Sequence, residues 1–295
     1  MPVAYHHVDV FADGPYSGNS LAVFVDPPPL SAAQMSLITQ ELRHFETIFV
    51  RRSGDAIQAR VFDLIEELDF AGHPVLGAAA VLHDLDAPTA ERYRAWTFAL
   101  PAGAVKVSTR RSAPGRVAAL LETGRPELVA RPPAGDRDAI AAAFGLAPDD
   151  LDEALPPEVW STGLRYLIVP VRAEALAGAR IAHRDLTGFL EARGAQFAYL
   201  LDAATPEGRH WNNDGLMEDV ATGSAAGCVA AYLMSRGRLG DGERVTLAQG
   251  RFTGRPSAIS IGAYGGADAV ERVTVGGEVV RVGTGTLEVL PGGDR

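Results

Sequence analysis

The strongest constraint on this chain is a pattern that it carries twice. EELDFAGHPVLGAAAVL, at 66–82, and MEDVATGSAAGCVAAYL, at 217–233, align without gaps. Gly72 falls on Gly223, His73 on Ser224, Ala79 and Ala80 on Ala230 and Ala231, and Leu82 on Leu233. Each copy has an acidic approach, a glycine turn, a polar residue, and then a helix that is small and apolar nearly all round. A helix without a polar face must be buried on every side. Each copy therefore reads as the centre of its own domain. The expectation is an α+β chain of two pseudo-symmetric domains, each a barrel of strands wrapped around a central apolar helix. The first spans 1–122 and the second 123–283, with the last strand, about 284–295, returning to the first.

The segments between fit this plan. VAYHHVDVF and SLAVFV read as strands around an ADGPYSGN turn. Ser31 caps a helix with Gln34 three residues on, and Met35, Ile38 and Leu42 share one face of it. ETIFV, AIQARVF, WTFAL, AVKVS and RVAALLE are further strands, followed by a Pro-rich linker near 125–135. The second half has helical windows at 136–145 and 185–193 and strands at RYLIVPV and FAYLLD. Glycines near 262–266 and 276–285 read as turns between short strands.

Several function classes drop out on composition. The net charge is -10 over 295 residues, with no run of Lys or Arg, so nucleic acid is not an expected partner. No apolar stretch spans a bilayer, the N-terminus has no leader-like pattern, and one cysteine, Cys228, allows no intrachain disulfide. A cytoplasmic setting is expected. Lys106 is the sole lysine, lies in an alternating strand, GAVKVS, and suits solvent better than a Schiff base. No HExxH, CxxC, GxGxxG or P-loop is present, and the ExxH at Glu41 and His44 reads as an ordinary helix face. Neither a metal nor a cofactor is expected.

Four polar residues could do chemistry. Glu46 opens the apolar strand ETIFV, and an apolar setting suits a carboxylate to take a proton from carbon. A solvent-facing strand end is the plainer reading of the same residues. His73, at a helix start, could donate a hydrogen bond or polarise a carbonyl, or be a buried structural histidine. Asp219 and Ser224 could contact substrate or cap the helix that follows. Both helix starts present free N–H groups and a partial positive charge suited to a carboxylate.

Taken in order, VDVFADGPYSGNSLAVF, ETIFV, ELDFAGHPVLGAAAVL, EDVATGSAAGCVAAYL and QGRFTGRPSAISI resemble the PhzF-like isomerases of phenazine biosynthesis, which share the two-domain fold of diaminopimelate epimerase. The resemblance covers nearly the whole chain. It implies a cofactor-independent hydrogen shift on a small unsaturated amino or hydroxy carboxylic acid, in a homodimer, with Glu46 as the acid/base. By the same analogy, Asp219 and His73 would hold the amine and the developing enol. The N–H groups at Gly72 and Gly223 would bind the carboxylate, with Ser224 in contact. Ala71 and Thr222 stand where the epimerases of this fold have thiols, which implies that two-thiol racemisation is not the chemistry. Phe45 replaces the family's usual serine, Val220 its proline after the aspartate, and Phe62-Asp63-Leu64 its FTP. Phe45 would put an apolar wall against the substrate, implying a less polar acid. Two other readings remain: a Ser-His-Asp hydrolase of Ser224, His73 and Asp219, against which G-S-A-A-G lacks the G-x-S-x-G elbow, and a non-catalytic binding protein of the same fold.

Overall fold

The computed structural model describes residues 2–53, 56–86 and 92–292. The chain divides into two compact units, one of residues 1–121 and 276–295 and one of 122–275.

In the first unit the chain runs β1 (Val3–Val10), β2 (Asn19–Val25), α1 (Ala32–Leu42), β3 (Glu46–Ser53), β4 (Ala56–Asp63), β5 (Glu67–Leu68), α2 (Gly72–Asp86), β6 (Tyr93–Leu100), β7 (Gly103–Ala113) and β8 (Arg116–Thr123). The second unit adds β9 (Glu127–Ala130), α3 (Arg137–Ala143), β10 (Glu158–Ser161), β11 (Arg165–Pro170), α4 (Ala173–Leu176), α5 (Leu186–Glu191), β12 (Phe197–Asp202), β13 (Glu207–Arg209), α6 (Gly223–Ser235), β14 (Arg244–Gln249), β15 (Ser257–Gly266) and the opening of β16 (Ala269–Leu287). From Gly276 onward, β16 belongs to the first unit.

The first unit is a closed barrel, β1-β2-β3-β4-β6-β7-β8-β16, in which β16 returns to pair with β1 from Val3↔Leu287 to Val10↔Val279. Inside it lies α2, buried without interruption from His73 to His83. Its small side chains follow from the space. A Cβ on Gly77 would sit 2.4 Å from Leu21 Cδ2 and 3.1 Å from Val10 Cγ2. At its far end the buried His83 is met by Thr109, whose hydroxyl lies 2.7 Å from Nδ1 and also accepts from Trp96 Nε1. Outside the barrel, Met35 and Ile38 of α1 pack on Phe24, Phe49 and Phe62.

The second unit also packs strands around its helix. Its strands run β9-β10-β11-β12-β13-β14-β15 to the opening of β16, and α6, buried from Ala225 to Met234, packs against β10, β11 and β15. A further core of Phe144, Leu176, Leu190, Leu200 and Trp211 lies under α3, α4 and α5. Among the described residues no helix is long and apolar enough to cross a membrane. Lys106 is exposed on β7.

Three expectations are corrected. The Pro-rich stretch near 125–135 is not a bare linker, because Glu127, Leu128 and Ala130 pair with β10. The late glycines lie mostly within β15 and β16 rather than in turns between short strands. Gly276 is needed inside its strand, since a Cβ there would meet the Ala119 carbonyl oxygen at 2.3 Å. Glu41 and His44 do not share a helix face: α1 stops at Leu42, Arg43 turns left-handed at φ 58°, and His44 Nδ1 lies 2.7 Å from the Ser20 hydroxyl.

The fit of α2 against β1 and β2 is testable. Gly77→Val overfills the barrel and should destabilise the protein by about 1–3 kcal/mol in urea unfolding. A change below about 0.5 kcal/mol, the range of a surface substitution, would mean that the helix does not lie this close to the strands.

Candidate active site

Glu46 is the first residue of β3, held by pairing with Leu21 of β2 and Asp63 of β4. His73 is the second residue of α2. These two elements bring Glu46 Oε2 and His73 Nε2 to 2.8 Å, with side chains 20% and 8% exposed. The contact lacks hydrogen-bond alignment, so both atoms are buried without a hydrogen bond. Leaving a polar group in that state costs about 1–3 kcal/mol, and a buried polar group left unpaired calls for a ligand, water or function to explain it. Phe45, half-buried, directly precedes the carboxylate. At Gly72 the nearest atom to a hypothetical Cβ is Leu121 Cδ2, at an ordinary 3.8 Å. Packing therefore does not demand glycine there.

In the second unit, Asp219, Gly223 and Ser224 lie at the start of α6 in a network that the sequence did not disclose. The Asp219 carboxylate accepts from the Thr222 hydroxyl at 2.7 Å and from Ala221 N–H at 3.3 Å. Gln249 ties this turn together. Its Nε2 donates to the Asp219 carbonyl and the Thr222 hydroxyl, both at 2.9 Å, while its Oε1 accepts from Thr222 N–H and the Tyr199 hydroxyl. Because Thr222 turns its hydroxyl to Asp219, it makes no side-chain cap on α6. The Ser224 hydroxyl lies 2.8 Å from that of Tyr166. Burial pushes the Tyr166 hydroxyl far above its ordinary range, so it serves as a neutral hydrogen-bonding group.

His210 packs edge-on against the Tyr166 ring, and its Nδ1 faces the Ala198 carbonyl at 2.9 Å. Burial pulls its pKa down, so the ring is neutral at pH 7, with Nδ1–H donating to that carbonyl. Tyr166 and His210 sit in RYLIV and GRHW, which carry no motif, and Gln249 opens QGRFTGRPSAISI, a matching segment that gave it no role. Only the fold gathers them.

The hydrolase reading finds no support. Within the second unit the Ser224 hydroxyl is paired with tyrosine, and the Asp219 carboxylate with threonine and a backbone N–H.

The model of the family described as "Phenazine biosynthesis-like protein" matches residues 8–285. The chain belongs to this family. It is 34% identical over 295 residues to the trans-2,3-dihydro-3-hydroxyanthranilate isomerase of Pseudomonas chlororaphis, covering 96% of this chain and 99% of that protein. A solved structure described as a predicted epimerase from Pseudomonas aeruginosa is 46% identical, with a TM-score of 0.87 over 97% of this chain and 99% of its own. A probable proline racemase from Agrobacterium radiobacter shares only 14% identity, yet matches with a TM-score of 0.58 over 98% of this chain and 94% of its own, which shows the fold. The architecture is thus the epimerase-like α+β fold, and this phenazine biosynthesis-like protein is an isomerase. The non-catalytic reading is accordingly set aside.

In this family member the lone thiol has a structural setting. Cys228 is buried within α6, with its sulfur 3.4 Å from the Trp160 carbonyl and 3.8 Å from the Thr162 hydroxyl. Burial pushes the thiol up to about 12, which removes the reactive thiolate at neutral pH. A disulfide-exchange reagent at pH 8 should modify Cys228 only after denaturation. Stoichiometric labelling of the native protein within minutes would contradict this.

Proposed function

We propose that this isomerase moves a proton between two carbons of a small unsaturated amino or hydroxy carboxylic acid, with Glu46 as general acid and base. The reading is supported above all by the Glu46–His73 pair, two buried polar atoms at 2.8 Å that do not satisfy each other. Glu46 takes the proton from one carbon of the substrate, and the electron pair of that C–H bond moves into the adjoining unsaturated system. The resulting carboxylic acid returns the proton to another carbon on the same face. His73, fixed by its place in α2, hydrogen-bonds the oxygen or nitrogen on which charge develops. The free N–H groups at Gly72 and Gly223 bind the substrate carboxylate, as helix N-termini bind anions. Asp219 takes the amine, and Ser224, steadied by Tyr166, adds a hydroxyl contact. Neither a metal nor a cofactor has a role in this reading.

The named relatives suggest trans-2,3-dihydro-3-hydroxyanthranilate as the first substrate to try. Phe45 suggests that a less polar congener is preferred. Family analogy extends the proposal to a homodimeric, cytoplasmic enzyme in a biosynthetic pathway.

The test is turnover of that compound and its deoxygenated congeners in deuterated water, followed by proton NMR. Internal transfer or solvent exchange at one carbon is expected. Glu46→Gln should lower kcat/KM by about 10²–10⁴-fold, the usual worth of a positioned acid/base, with thermal unfolding unchanged. An undiminished rate in that variant would remove Glu46 from the chemistry.

A further inference from the structure

The first unit has a second polar concavity, at the opposite end of α2 from His73. Asp84 lies eleven residues beyond His73, about 16 Å along the helix axis at 1.5 Å per residue. Here an open pocket of about 510 Å³ is lined by Arg92, Arg111 and Arg281, with Asp84 and the β7–β8 turn around Pro114. The three arginines come from separate parts of the chain: ahead of β6, on β7 and on β16. In a protein of net charge -10, that is a local reversal of sign.

The one carboxylate in the lining does not neutralise it. Asp84 Oδ1 accepts from Arg111 Nη1 at 2.5 Å, and Arg111 Nη2 reaches the His83 carbonyl at 3.3 Å, closing the end of α2. Arg111 Nε remains buried without a hydrogen bond. Ser112, also in the lining, is taken up by Glu278, whose Oε2 accepts from its hydroxyl at 2.6 Å. The exposed guanidinium groups of Arg92 and Arg281 have no hydrogen-bond or ion-pair partner among the described residues.

An adjoining slot of about 50 Å³ shares Asp84 and Arg281 and is walled by Val8, Ala80, Val81, Leu85 and Val117, with His6 at its side. Burial and the Arg281 charge hold the His6 pKa down, so His6 adds a neutral hydrogen-bonding group rather than a fourth cation. Guanidinium groups present planar pairs of donors that match the oxygens of a phosphate. Two of them unpaired beside a third suit a dianion better than a single carboxylate. The slot has room for a few carbon atoms.

We propose that this pocket binds a small organic phosphate, its dianion held by Arg92, Arg111 and Arg281 and its short apolar group in the slot beside α2. The site is independent of the proton-transfer chemistry assigned to Glu46.

Isothermal titration calorimetry of the full chain with inorganic phosphate and with propyl phosphate tests this at low ionic strength. One site per chain is expected. Propyl phosphate should bind about tenfold more tightly, the worth of burying one or two methylenes. The double variant Arg92→Gln/Arg281→Gln should lose at least about tenfold in affinity with its unfolding temperature unchanged, since both side chains are exposed. Glu46→Gln should bind as the wild type does. Equal affinity for the two probes, or binding unchanged in the double variant, would overturn the proposal. So would loss of binding in Glu46→Gln, which would place the probe at the catalytic pair.

Discussion

A helix that is apolar on every side has no stable place on a protein surface, and this chain contains two. Burying α2 from His73 to His83 requires strands on all sides of it, and the first unit supplies them by closing a barrel. The closure is made by the last strand, since β1 pairs with residues 279–287. The first unit therefore cannot be completed until the second unit's sequence has been made, and its folding depends on contacts of very long sequence separation. The same demand explains the composition of the helices. Gly77 is small because Val8 and Val10 of β1 and Leu21 of β2 lie against it, and β3, β6 and β7 also pack on the helix.

Rigidity of this kind holds the Glu46–His73 contact in place. Glu46 enters from a strand locked on both edges by hydrogen-bonded neighbours, and His73 from a helix locked by the barrel. The two atoms face each other at 2.8 Å without a hydrogen bond. Unsatisfied polar groups persist only where the surrounding structure over-determines them.

The sequence revealed this fold through periodicity and the duplicated segment. EELDFAGHPVLGAAAVL and MEDVATGSAAGCVAAYL are long enough, and apolar enough, to admit one physical reading, and α2 and α6 begin at Gly72 and Gly223 as that reading requires. The choice of Glu46 and His73 followed from family resemblance and not from local pattern, since a strand-end glutamate looks the same in solvent. The roles of Tyr166, His210 and Gln249 were not legible. The turn at Asp219 and Ser224 draws on residues far off in sequence, since Gln249 lies 30 positions from Asp219 and Tyr166 lies 58 from Ser224. The glycines of β15 and β16 misled for a related reason. A glycine that admits a neighbouring strand's carbonyl, as Gly276 does for Ala119, has the same letter as one that turns a loop.

The two polar helix starts differ in a way that bears on their roles. At α6 the polar atoms are matched. Asp219 is held by Thr222 and Ala221, Thr222 by Gln249, Gln249 by Tyr199, and Ser224 by Tyr166. Such a network fixes orientation, and removing one member leaves the others unsatisfied. At α2 the two facing atoms are unmatched. A group meant to position a ligand benefits from being tied down. A group meant to exchange a proton must keep its lone pair available. The asymmetry supports giving the chemistry to Glu46 and the recognition to Asp219 and Ser224, on grounds that do not depend on any relative.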